Sequence, residues 1–148
     1  MKTLVISQPM YFPWVGMLEQ MRLADVFVYL DDAQFSKGGF FNRVQVKTDR
    51  GTLWLTVPLA ENKLGQALNQ SRLATHGWRR KHLNTLRQSY ASASFSEEML
   101  SVAGTVLSEE SESLASISVA SMEALAEFFK VLPGMTLQSS EMEVVGSG

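Results

Sequence analysis

Val5-Ile6-Ser7-Gln8-Pro9-Met10-Tyr11-Phe12-Pro13-Trp14-Val15-Gly16 decides the fold class of this chain. A short apolar run stops at a stiff aromatic loop, and an amphipathic segment begins directly after it. That order predicts a first β-strand, a shaped loop at its C-terminal edge and a helix over about Val15 to Leu23. Open α/β sheets bind ligands at such edges. Pro9 and Pro13 fix φ at their own positions and push Gln8 and Phe12 toward extended backbone, while Gly16 permits close approach. The loop therefore presents Tyr11, Phe12 and Trp14 from rigid backbone, either to a ligand or as the cap of a core.

Ala24 to Leu30 is short, nearly all apolar and rich in β-branched and aromatic residues, the composition of a buried parallel strand. With the helix before it, it completes a βαβ unit. If the two strands are neighbours, both following loops open on one edge. The second loop carries Asp31, Asp32, Gln34 and Lys37 ahead of Gly38-Gly39. Adjacent strand-end residues point in opposite directions, so Asp31 and Asp32 do not address one atom as a pair. One is expected to bind Mg²⁺, a ribose hydroxyl or an amine, and the other to cap the following turn.

Phe41 to Thr48 and Thr52 to Pro58 flank Thr48-Asp49-Arg50-Gly51, the expected composition of a hairpin turn. Alternation puts Val44 and Val46 on one side and Arg43, Gln45 and Lys47 on the other. Arg43 can clamp a phosphate or carboxylate through two parallel hydrogen bonds, and Lys47 adds charge without that directionality. An ordinary solvent-facing strand reads the same way.

Ala60 to Leu73 is polar and loosely patterned, which predicts a loop with at most a short strand. Thr75 is placed to cap a basic amphipathic helix on which Trp78, His82, Leu86 and Tyr90 recur near helical spacing. His82 and His76 are the candidate general acids or bases, each also open to a packing role. Neither has metal-ligand spacing, so no metal site is expected from them, and the sequence leaves any cofactor unidentified. Ser94 to Glu97 fits a capping box opening a helix to about Ser108. Ser113 is expected to cap a second helix, closed by Pro133-Gly134. Its apolar residues through Leu132 read as core. The serines of that helix lack a nucleophile setting, and Met135 to Gln138 reads as a further strand.

Composition bounds the rest. A chain of 148 residues with 45% hydrophobic content matches one globular domain. It has no cysteine, which excludes disulfides and thiol chemistry. Neither a signal peptide nor an apolar run long enough for a membrane span is visible, so a soluble cytoplasmic protein is expected. The net charge of −2 conceals a basic stretch over residues 36 to 90 and an acidic one over residues 91 to 148. A basic middle either attracts phosphate, nucleic acid or acidic glycan, or pairs with the acidic end.

The set Ile6-Ser7-Gln8-Pro9, Pro13-Trp14 with Gly16, Ala24 to Val28, Leu30-Asp31-Asp32 with Gln34 to Lys37, Asn42-Arg43 and Trp54 to Pro58 resembles the WbqC-like family. Trp78-Arg79, Lys81-His82-Leu83 and Tyr90 continue the likeness. The resemblance implies a bacterial protein of surface-polysaccharide or O-antigen gene clusters, with a suggested glycine or other aminoacyl transferase role. It draws Asn42 and Arg43 toward function and implies a longer protein, of which this chain is the N-terminal part. Gln8-Pro9 and Pro13 to Gly16 are also similar in placement to the strand-to-helix signature of the nucleotidyl-transferring class that includes class I aminoacyl-tRNA synthetases. The histidines of that signature are missing here, so adenylate-forming chemistry by that route is not supported.

The expected architecture is a single α/β domain with a partly parallel sheet. Its parts are a βαβ start plus hairpin over residues 1–58, a loop and basic helix over 59–92, and a helical hairpin with a terminal strand over 93–148. The expected function is transfer of an aminoacyl or acyl group to a nucleotide-linked sugar. Gln8, Tyr11, Trp14 and Gly16 form the donor pocket, Gln34, Lys37, Asn42, Arg43 and Lys47 bind ligand, and Asp31, Asp32 and His82 are the catalytic candidates. The alternatives are a nucleotide or nucleic-acid binding module without catalysis, and an assembly subunit for other pathway enzymes.

Overall fold

The structure is a computed structural model that describes residues 1–36, 39–61 and 65–143. Strand β1 (Leu4–Ser7) leads through helix α1 (Val15–Leu23) to β2 (Val26–Tyr29), and the two strands pair in parallel. A hairpin follows, β3 (Arg43–Thr48) and β4 (Gly51–Thr56), then helices α2 (Trp78–Ser89), α3 (Ser96–Ser108) and α4 (Leu114–Phe128). Strand β5 (Met135–Gln138) pairs in parallel with β2, giving the order β1-β2-β5. The architecture is mixed α/β, with a parallel sheet, an antiparallel hairpin and helices toward the C-terminus.

The apolar β2 is the central strand, and Phe27, Val28 and Tyr29 are buried. Phe27 and Tyr29 pack with Met17, Leu18 and Met21 of α1 and with Met122 and Ala126 of α4. A second core joins Tyr11, Val57 and Trp78 to Val106 of α3 and to Leu114, Ala115 and Ile117 of α4. Helix α4 thus borders both cores, so its polar positions must be satisfied internally. The Ser121 hydroxyl accepts from the Phe12 N–H at 2.9 Å and faces the carbonyls of Met10 and Ser118, while Ser118 donates toward the Phe41 carbonyl at 3.5 Å.

Several boundaries differ from expectation. Phe12 is not extended but left-handed, at φ 46°. The following proline disfavours its right-handed α conformation, the bond from its N–H to Ser121 holds it in place, and its ring packs edge-on against Tyr11. Helix α2 is not capped by Thr75, because Gly77 adopts φ 66° at the N-cap and the helix starts at Trp78. The Ser94 capping box does not form, and Phe95 occupies the N-cap of α3 without a side-chain bond. Ser113 does cap α4, reciprocally with Ser116.

Helix α4 ends before the Pro133-Gly134 stop. Lys130 turns left-handed at φ 57°, its N–H donates to the Glu127 carbonyl, and the Val131 N–H reaches back to the Ala126 carbonyl at 2.8 Å. These two bonds make a Schellman closure around a residue that carries a Cβ. Lys130→Gly should therefore raise the unfolding free energy by about 0.5–1 kcal/mol, the left-handed strain relieved less the extra unfolded-state entropy. Urea unfolding of the two proteins measures it. Gly134 then delivers β5 beside the start of β2, where an added Cβ would lie 2.8 Å from the Asp25 carbonyl oxygen.

Candidate functional site

Because the three strands are parallel, their carboxyl ends share one edge. Gln8 leaves β1 there, Asp31 and Asp32 leave β2, and Ser139 and Ser140 leave β5. The two aspartates divide the work. Asp31 is 2% exposed, and its carboxylate accepts from the Ser139 hydroxyl at 3.1 Å, the Ser140 N–H at 2.9 Å and the Ser140 hydroxyl at 2.6 Å. The main chain adds a bond from the Asn69 N–H to the Asp31 carbonyl at 2.9 Å. Asp31 therefore ties the end of β2 to the chain after β5. Asp32 is exposed, with one carboxylate oxygen facing the Ser139 hydroxyl.

Two further features lie on this edge. The side-chain oxygens of Gln8 and Asn69 are buried with no hydrogen-bond partner. Helix α1 begins here with no side-chain cap and no acidic residue in its first turn, which leaves N–H groups and the positive end of its dipole open to an anion. The Trp14 side chain at its N-cap is 61% exposed and folds back over Gly16. An ideal Cβ on Gly16 would lie 2.0 Å from Trp14 Cζ3, so the glycine makes room for the indole.

The first loop faces two ways. While Gln8 and Trp14 stand at the sheet edge, Tyr11 is 1% exposed, and its hydroxyl lies 2.9 Å from His82 Nδ1. Trp78 packs edge-on against both rings. The other His82 nitrogen reaches the Thr56 carbonyl, so Nε2 carries the proton and Nδ1 accepts from Tyr11. Burial pushes the imidazole down to about 4, against the Thr56 bond and together with the Lys81 charge. Burial likewise raises the Tyr11 phenol, opposed by Arg79. Near neutral pH His82 is an uncharged packing group with both nitrogens engaged.

The buried imidazole has a consequence for stability. The unfolded chain takes up a proton near pH 6.5, whereas the folded chain resists until about 4. The His82 contribution is therefore full above the unfolded value and is lost as pH falls, by up to about 1.4 kcal/mol per pH unit within that window. Denaturant unfolding at pH 7.5 and pH 5 should show this slope, reduced in His82→Gln.

Tyr11 and Phe12 also wall an apolar cavity of 590 Å³ between the hairpin, α2, α3 and α4. Val44, Val46, Leu86, Met99, Val102 and Phe128 are among its apolar lining, and Glu98 and Gln45 are among its polar members. Its size and apolar character suit a small-molecule pocket.

The remaining expected site residues lie elsewhere. Gln34 forms an isolated bridge with Ala67, and Asn42 donates to the Val57 carbonyl at 3.2 Å, closing the base of the hairpin. Arg43 lays its guanidinium 4.4 Å over the Trp54 ring, which in turn meets Phe40. Gln45 and Lys47 share that face, and Lys47 donates its backbone N–H to the Tyr90 hydroxyl. Lys37 lies outside the described residues. On α2, Arg79 donates to the carbonyls of Glu109 and Ser111, so that part of the basic helix is committed to closing the end of α3. Among the described residues, no three His, Asp or Glu side chains are grouped to hold a metal, and no helix is long and apolar enough to cross a membrane.

Asn69, Ser139 and Ser140 join the site without having been expected from the sequence. A Ser-Ser pair directly after a strand was the available signal, yet it becomes meaningful only once β5 is known to lie beside β2.

The family model described as the WbqC-like protein family matches residues 8–147. A protein of Mycobacterium tuberculosis described as uncharacterized is 28% identical over 133 residues, covering 88% of this chain and 58% of that protein. The chain thus spans 58% of the length of the curated relative it matches. No solved structure matches it.

Proposed function

The chain belongs to the WbqC-like protein family, and from that premise we propose that it is a transferase domain of bacterial surface-polysaccharide synthesis that binds a nucleotide-linked substrate at the carboxyl edge of its sheet. The observation that carries this reading is the grouping, on one edge, of an uncapped helix N-terminus, an exposed Trp14 above it and an exposed Asp32 at the end of the next strand. Phosphate sits at the α1 N-terminus, where backbone N–H groups and the helix dipole favour anions. The Trp14 indole stacks on a base or sugar, and Asp32 accepts from a ribose diol, the role that an acidic residue ending β2 plays in doubly wound nucleotide-binding sheets. Gln8 supplies an acceptor from the β1 end. Asp31 acts indirectly, by holding this edge together.

A thermal-shift screen against nucleotides, nucleotide-sugars, amino acids and acyl carriers tests the proposal. A ligand at about 100 times its dissociation constant should stabilise the fold by about 2.7 kcal/mol. Trp14→Ala and Asp32→Asn should weaken that shift while Arg43→Glu leaves it intact.

The stacked Arg43 and Trp54, with Phe40 and Lys47 on the hairpin, favour a second reading, a single-stranded nucleic-acid platform. RNA affinity that falls steeply with salt and is lost in Arg43→Glu would select that reading instead.

A further inference from the structure

A parallel sheet is ordinarily covered on both faces, because its crossovers lay helices against it. Here α1 and α4 pack on the same face, over Phe27 and Tyr29. The strand register puts Leu4, Ile6, Val26, Val28, Met135 and Leu137 together on the other. All six are apolar. Only the central Val28 is fully buried, at 4% exposure, whereas Leu4, Ile6, Met135 and Leu137 range from 59% to 38%. Among the described residues, nothing pairs with the outer edge of β1.

We propose that this face seats an amphipathic helix of the same polypeptide, supplied by chain of the kind the longer relative carries outside the matched stretch. Size selects that occupant. Three strands of four residues, about 4.8 Å apart with about 3.3 Å rise, present a face of roughly 200 Å². Separate chains that associate stably bury about 800 Å² each, so neither a second copy nor an independent protein is held well by so small a patch. A tethered segment docks at an effective concentration in the millimolar range and needs far less area. The face is also about one helix wide, since a helix with its side chains measures about 10–12 Å across. Its lack of charge calls for a plain apolar stripe at i, i+3, i+4 and i+7. Length supports the same choice, because this chain covers only 58% of its relative.

Oxidation footprinting of the protein as encoded in full tests this without a substitution that could unfold it. Met135 is 54% exposed on the open face, and methionine oxidation follows exposure. Under dilute hydrogen peroxide, a seated helix should slow Met135 about ten-fold or more relative to a methionine in an unstructured peptide, equally at micromolar and sub-micromolar protein. Oxidation at the rate of the unstructured peptide would overturn the proposal by showing the face open. Protection that vanishes on dilution would overturn it in favour of a second copy.

Discussion

Asp31→Ala should lower the unfolding free energy by about 2–3 kcal/mol, near the upper range for hydrogen bonds to a charged group. The carboxylate is buried, accepts from the Ser140 N–H and hydroxyl, and shares the Ser139 hydroxyl with Asp32, so alanine leaves the Ser140 hydroxyl and N–H without their acceptor. Ser140 is exposed and regains water, which keeps the loss below that of a fully buried network. The damage is also topological. Beyond its ladder with β2, edge strand β5 is held at this end by the same clamp, and its other end by the close approach of Gly134 to Asp25. Hydrogen exchange should therefore rise first in residues 135–140. Asp31→Asn keeps one acceptor oxygen and should lose about half as much. Equal stability of Asp31→Ala and the parent would show that the Ser139 and Ser140 bonds contribute nothing.

Trp14→Ala should weaken nucleotide binding by about 10–100-fold, the range for loss of one base–aromatic stack, while leaving thermal stability nearly unchanged. The separation follows from exposure. At 61% exposed and outside both cores, the indole contributes little to packing. Gly16→Ala provides an internal comparison, because its Cβ would occupy the position of the indole ring and displace it without removing it. An intermediate loss of affinity is expected there. Calorimetric titration of the three proteins with the strongest ligand from the screen reads both effects. A parallel fall in stability and affinity would mean that Trp14 acts through the fold.

Local chemistry made much of this fold legible. Apolar spacing bounded by Pro13 marked α1 at the observed limits, the run from Ala24 to Leu30 marked a buried parallel strand whose paired part is Val26–Tyr29, and Thr48-Asp49-Arg50-Gly51 marked the hairpin turn. What stayed hidden depends on partners distant in the chain. The left-handed Phe12 is held by Ser121 of α4, and the role of Asp31 exists only because β5 returns beside β2. Ser118 and Ser121 read as featureless small residues on a helix until the carbonyls of Phe41 and Met10 are placed against them. Lys130 likewise gave no local sign of closing α4, since a left-handed end normally announces itself by glycine. In the site, the sequence grouped Tyr11 with Gln8 and Trp14 because they share a loop. The Phe12 turn separates them, sending Tyr11 inward to His82 and leaving Trp14 at the sheet edge.

Binding of a nucleotide-linked substrate at the carboxyl edge is most directly tested by backbone amide NMR on the uniformly ¹⁵N-labelled protein, titrated with the ligand that stabilises it. The account predicts that the largest shift changes fall on Val15, Gly16 and Met17 at the α1 N-terminus and on Asp31 and Asp32 after β2. Changes confined to Arg43 through Thr56 of the hairpin, with the α1 N-terminus silent, would contradict it.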